Sequence, residues 1–194
     1  MELLERDRAL AALAEAHAAA TRGSGRAVIV SGEPGIGKTA LVTHFTGGLD
    51  ARILWGACDD LSIPRPLGPF RDIAELEPAL AAGAAPHDIQ SLLIDELAEP
   101  AVLVLEDLHW ADDATLDVIT VLGRRIGTLP ALLVLTVRTG EAPPEHPLHA
   151  ALGAVAGSSA FIELAPLSPG AVAFLTGDEG GSSAPASAPS SSVT

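Results

Sequence analysis

Apolar residues in this chain follow two periods. Residues 27–30 (AVIV), 53–58 (ILWGAC), 101–105 (AVLVL) and 132–137 (LLVLTV) are apolar at nearly every position, and residues 161–164 (FIEL) form a shorter fifth run. Unbroken runs of this length fit strands buried on both faces of a parallel sheet. Between them the period changes to that of a helix with one buried stripe. Leu3, Leu10 and Leu13 fall so within residues 3–20, Ile89, Leu92, Leu93 and Leu97 within a second stretch, and Leu116, Ile119, Leu122 and Ile126 within a third.

The breaks between these segments carry turn chemistry. Gly23-Ser24-Gly25 and Gly47-Gly48 end two helices, Pro86 opens another, and Asp112 or Asp113 can cap the helix that ends near Gly127 and Pro130. Three prolines within residues 63–69 are expected to exclude regular structure. A short helix is expected at residues 148–155 after Pro143, Pro144 and Pro147. Strands alternating with helices imply right-handed crossovers, hence an α/β fold with a five-stranded parallel sheet covered on both faces. Residues 1–26 read as an N-terminal helix and linker, and 27–175 as the folded core. Residues 176–194, rich in Ser, Ala and Pro, hold too little apolar surface to offset their ordering entropy and are expected to be disordered.

A length of 194 residues suits one such domain. The net charge of −14 argues against a broad basic face for nucleic acid. Cys58 is the only cysteine, so no intrachain disulfide can form; it reads as a small buried hydrophobe. No apolar run approaches the roughly 18 residues of a membrane helix. The acidic start, with Glu2, Glu5 and Asp7, differs from a signal peptide, and the expected location is cytoplasmic.

The chemistry centres on residues 31–39, SGEPGIGKT, which match the phosphate-loop pattern G-x-x-x-x-G-K-[ST] with Gly32, Gly37, Lys38 and Thr39 in register. A chain leaving the first strand must turn so that successive N–H groups converge on an anion, and the following helix points its positive end at the same place. Gly32, Glu33, Pro34, Gly35, Ile36, Gly37, Lys38, Thr39 and Ala40 form the nucleotide-binding set. Lys38 reaches the β- and γ-phosphates, and the Thr39 hydroxyl ligates Mg²⁺. The fold expected is therefore the three-layer P-loop NTPase sandwich, with ATP and Mg²⁺ as ligands.

The third strand runs directly into Glu106-Asp107, the Walker B arrangement. A strand adjacent to the loop brings one carboxylate to the metal, while the next acid orients or deprotonates the attacking water. Glu106 is the metal-side candidate and Asp107 the candidate base, and either could exchange roles. Arg138, at the end of the fourth strand, falls at the same edge of the sheet. A helix cap or solvated charge is the competing explanation for the acids, and Arg71-Asp72 reads as a solvated surface pair.

These motifs together, VSGEPGIGKT, LVLEDLHWADDATLDVI, the opening LLERDRAL and LLVLTVRTGE, resemble the ATPase domain of the large LuxR-group transcriptional regulators and related signal-transduction ATPases, the origin-recognition-like AAA domains. The resemblance spans about residues 3–175. It implies an ATP-driven switch whose nucleotide state controls self-association, with copies of itself or related ATPase chains. It places Arg6 near the adenine, after Glu5 where relatives often carry glycine. It makes Arg138 the γ-phosphate sensor, flanked by Val137 and Thr139 where an aromatic and an acid are commoner. His109 and Trp110 also match the pattern; Trp110 reads as a packing residue at the helix entrance, with base stacking as the alternative, and His109 as a structural or nucleotide-linked one. Arg124-Arg125 offsets a helix dipole, with an arginine finger in trans as the alternative. Relatives continue into a helical lid, a repeat region and a DNA-binding domain. This chain passes instead into its Ser/Ala/Pro stretch, so a truncated member without a lid is expected, with no DNA binding carried over.

Three functions follow: a nucleotide switch with weak ATPase activity, a small-molecule P-loop kinase, or a non-catalytic remnant. A GTPase is disfavoured more sharply than the kinase, because the chain has no asparagine for the N-K-x-D guanine motif.

Overall fold

The structure, a computed structural model, describes residues 3–61, 63–143 and 145–176. Nearly all of the stretch expected to be disordered, 177–194, lies outside the described residues. The elements run α1 (Asp7–Thr21), β1 (Arg26–Gly32), α2 (Lys38–Gly47), β2 (Arg52–Ala57), α3 (Glu77–Ala81), α4 (Pro86–Glu96), β3 (Ala101–Glu106), α5 (Asp113–Arg125), β4 (Ala131–Arg138), α6 (Pro147–Val155), β5 (Ser159–Glu163) and α7 (Pro169–Thr176). All five strands are parallel, in the order β2-β3-β4-β1-β5.

Alternation along the strands divides the interior into two layers. Val28 and Val30 of β1, Val102 and Val104 of β3 and Leu132 and Val134 of β4 face α1 and α2, against Leu13, Leu41, Val42 and Phe45. Ala27, Ile29, Leu103, Leu105, Leu133 and Leu135 face the opposite layer, where Ile89 and Leu93 of α4, Leu116 and Ile119 of α5 and Ala151 and Val155 of α6 pack. The result is an α/β three-layer sandwich. Cys58 lies buried in the second layer.

Several details differ from the sequence reading. The first helix starts at Asp7 rather than residue 3, because Glu5 adopts a left-handed backbone with φ 57°. That turn aims the Glu5 carboxylate at Ser168, whose N–H it accepts at 2.8 Å. The Pro-rich segment is not wholly irregular. Gly68–Asp72 forms a 3₁₀ turn that buries Phe70, and Asp112, the N-cap of α5, also accepts the Leu67 N–H at 3.1 Å. Arg71 and Asp72 do not pair. Arg71 donates to the Pro66 carbonyl at 3.3 Å, and Asp72 accepts the Ala57 N–H at 3.1 Å.

β4 pairs with both β1 and β3 and so separates them. Among the described residues, no helix is long and apolar enough to cross a membrane.

Candidate functional site: the cleft at the carboxyl edge of the sheet

β1, β3 and β4 all end at one edge of the sheet, and the candidate residues collect there. The loop after β1 turns through Gly35 and Gly37, whose φ values of 75° and 98° suit glycine, and α2 begins immediately afterwards. Lys38, the first residue of α2, is 7% exposed and folds back over the loop. Its Nζ donates to the carbonyl oxygens of Gly32 at 3.0 Å and Glu33 at 3.1 Å. Burial pulls the ammonium below its ordinary value, opposed chiefly by Asp107.

Pro34, Gly35, Gly37, Lys38, Thr39, Asp107 and Arg138 line one open cleft of about 210 Å³. The predicted loop, candidate base and candidate sensor thus share a single cavity. Gly32, Glu33 and Ile36 belong to the loop without lining that cleft. Ala40 lines a neighbouring apolar pocket of about 410 Å³, with Leu3, Thr39, Thr43 and His44. Arg6 lines neither space. Its buried guanidinium donates to the Ile36 carbonyl at 3.2 Å and braces the loop from behind.

The two acids occupy different environments. Glu106, the last residue of β3, points toward the α2 side, in line with Val102 and Val104, and is 6% exposed. Its Oε2 accepts the Trp55 indole N–H at 3.2 Å, whereas its buried Oε1 has no hydrogen-bond partner among the described residues. Burial pushes the carboxyl up; the Thr39 hydroxyl, Trp55 and Lys38 pull it down, and Asp107 adds to the rise. A buried acceptor without a donor, next to a threonine hydroxyl at a helix start, fits an oxygen-coordinated cation or its bound water.

Asp107 sits one residue on, in the left-handed region with φ 53°, which aspartate tolerates better than most residues. Its N–H donates to the Thr136 hydroxyl of β4 at 2.9 Å, so the intervening strand holds the turn that lifts the carboxylate into the cleft. Beyond it, the His109 side chain is buried, with Nδ1 3.9 Å from Asp107 Oδ1 and Nε2 3.5 Å from Glu141 Oε2. Arg138 meets Glu141 at 3.2 Å and lies 5.7 Å above the Trp110 ring. Trp110 therefore supports the arginine as well as packing. Arg124 and Arg125 are exposed on the last turn of α5, away from this cleft.

Sequence reasoning missed Trp55, Thr136 and Glu141. Thr136 carried a signal: it is the lone polar residue within an otherwise apolar buried run. Trp55 and Glu141 carried none that spacing could reveal.

The sequence signature of the AAA ATPase domain matches residues 2–135. The chain belongs to the AAA ATPase domain family. No curated protein matches it. Among solved structures it is similar to the Aeropyrum pernix ORC1 protein in complex with DNA, with a TM-score of 0.58 and 16% identity over 92% of this chain and 50% of that one. It is also similar to a point mutant of Thermotoga maritima RuvB, with a TM-score of 0.50 and 21% identity over 84% of this chain and 47% of that one. Another RuvB variant is 23% identical, with a TM-score of 0.45, over 78% and 42%. The chain spans half or less of the length of these structures. The first two bear out the α/β fold of this five-stranded parallel sheet, and the family accords with nucleotide binding.

Proposed function

We propose that the chain binds Mg-ATP in the cleft beside Lys38 and hydrolyses it slowly, as the nucleotide-dependent switch of a signal-transduction ATPase. One juxtaposition carries this reading: Lys38, Asp107 and Arg138, separated by up to a hundred residues, line a single cleft at the start of α2.

In this reading Lys38 exchanges the Gly32 and Glu33 carbonyls for phosphate oxygens, a stronger pairing for an ammonium. The loop N–H groups and the α2 dipole hold the remaining phosphate charge. Thr39 and Glu106 would hold the Mg²⁺, directly or through water, and the ion would neutralise charge on the phosphates. Asp107 orients a water and takes its proton as that water's oxygen bonds to the γ-phosphorus and the bond to the β-phosphate oxygen breaks, giving ADP and phosphate. Arg138 faces the γ-phosphate and senses its presence. The apolar pocket beside Ala40 and Thr43 takes the nucleoside. The LuxR-group assignment, and self-association with copies of itself or related ATPase chains, belong to the same proposal.

The test is calorimetric ATP binding with Mg²⁺, alongside phosphate release, for the wild type, Lys38→Ala and Asp107→Asn. Asparagine keeps tolerance of the left-handed backbone, so the second variant alters the carboxylate without straining the turn. Binding lost in Lys38→Ala, and release lost but binding kept in Asp107→Asn, is the expected pattern. Absence of any complex with folded wild type would end the reading, and release only with an added metabolite would point to a kinase.

A further inference from the structure

Trp55 stands on β2, the edge strand beside β3, and the function proposed above gives it no part. In the parallel register Trp55 lies opposite Val104 and Ala57 opposite Glu106. Trp55 and Glu106 therefore stand on the same face, two residues apart along the ladder. The indole spans that offset, and its N–H reaches Glu106 Oε2 at 3.2 Å. The ring also packs, partly buried, against the layer formed by Val102, Val104 and α2.

This single bond divides the two oxygens of a buried carboxylate. Oε2 is occupied by a donor from the neighbouring strand, and Oε1 is left buried with no partner among the described residues. An indole donates but cannot accept, so Trp55 can satisfy only an acceptor oxygen of Glu106. A carboxylate free to rotate would offer either oxygen to a cation, whereas one pinned by a neighbour presents the same oxygen each time.

We propose that Trp55 is a positioning residue for the metal-side acid: its indole N–H fixes Glu106 so that Oε1 is the oxygen presented to magnesium or its bound water. The inference rests on the nucleotide reading above. It makes the magnesium dependence of nucleotide binding depend on β2, a strand that contributes no residue to the lining of the cleft.

The test compares wild type, Trp55→Phe and Trp55→His by calorimetry, titrating Mg²⁺ at saturating ATP and separately titrating ATP in EDTA. Phenylalanine keeps most of the aromatic bulk and removes the donor, while histidine returns a ring N–H. Trp55→Phe should weaken the apparent magnesium affinity about tenfold, leave ATP binding in EDTA unchanged, and be partly rescued in Trp55→His. Equal magnesium dependence in Trp55→Phe and wild type overturns the proposal. A wild type that binds no ATP in either condition sinks the nucleotide reading instead. Should Trp55→Phe fail to fold, the emission of Trp55 in a Trp110→Phe background decides. A shift on adding Mg²⁺ to the ATP complex supports the proposal, and an unchanged spectrum overturns it.

Discussion

Arg138 meets Glu141 at 3.2 Å across a single turn of chain, and the other oxygen of Glu141 lies 3.5 Å from His109 Nε2. The arginine that lines the cleft beside Lys38 therefore already has an anionic partner. A γ-phosphate would have to compete with that carboxylate for the guanidinium, whereas a diphosphate would leave the pair intact.

The competition predicts the behaviour of Glu141→Gln. Both partners are partly exposed, so the pair contributes about 0.2–1 kcal/mol, and removing its charge should tighten ATP binding by up to about fivefold. ADP affinity should stay the same. Calorimetry with both nucleotides checks this; an equal gain for ADP would mean that Glu141 acts on the site as a whole and not through Arg138.

His109 predicts a pH response. Burial lowers its pKa below 6.5; Arg138 and Lys38 press the same way, and Asp107 and Glu141 oppose them. The folded chain therefore prefers neutral imidazole, while the unfolded chain takes up a proton near the ordinary value. Stability from this group is whole above about pH 6.5 and is lost as the pH falls through the unfolded value toward the lower folded one. Thermal midpoints followed downward from about pH 7.5 should fall less steeply in His109→Gln than in wild type. Parallel curves would refute a neutral buried imidazole.

The strands and the loop were legible because their signals are local. An apolar run such as residues 101–105 has few homes besides a buried strand, and Gly37, Lys38 and Thr39 follow one another. Strand order was not legible. Nothing in LLVLTV says that β4 lies between β1 and β3. That order decides how Thr136 comes to hold the Asp107 turn. The start of α1 was misread for a different reason. Leu3 continues the apolar pattern, but Glu5 leaves helical geometry to reach Ser168, more than 160 residues on, a tertiary contact that overrides propensity.

Glu106 should show a conflict between stability and function. Its pKa is raised above 4.5, mainly by burial, so the fold prefers the protonated form; the charge costs stability above that pH and costs less as the pH falls. Glu106→Gln imitates the protonated state and should raise stability at neutral pH by about 1 kcal/mol. The same change should reduce magnesium-dependent nucleotide binding. Urea unfolding together with magnesium titration checks both halves, and a variant less stable than wild type at neutral pH would show that the charge is already well compensated.

Gly56 tests how the edge strand is held. It follows Trp55 on β2, and the backbone of the Pro69 turn lies directly upon it, so that a Cβ built there would fall 1.8 Å from the Pro69 carbonyl oxygen. Backbone cannot swing aside as a long side chain can. Gly56→Ala must push apart β2 and the turn that carries the fully buried Phe70. The expected loss is about 3 kcal/mol, the upper range for overpacking a filled interior. It should lower the urea midpoint with little change in slope. Gly47→Ala, where an added Cβ meets nothing within 4 Å, is the matched control. Equal midpoints for the two variants would mean that the Pro69 turn moves freely and does not brace the strand bearing Trp55.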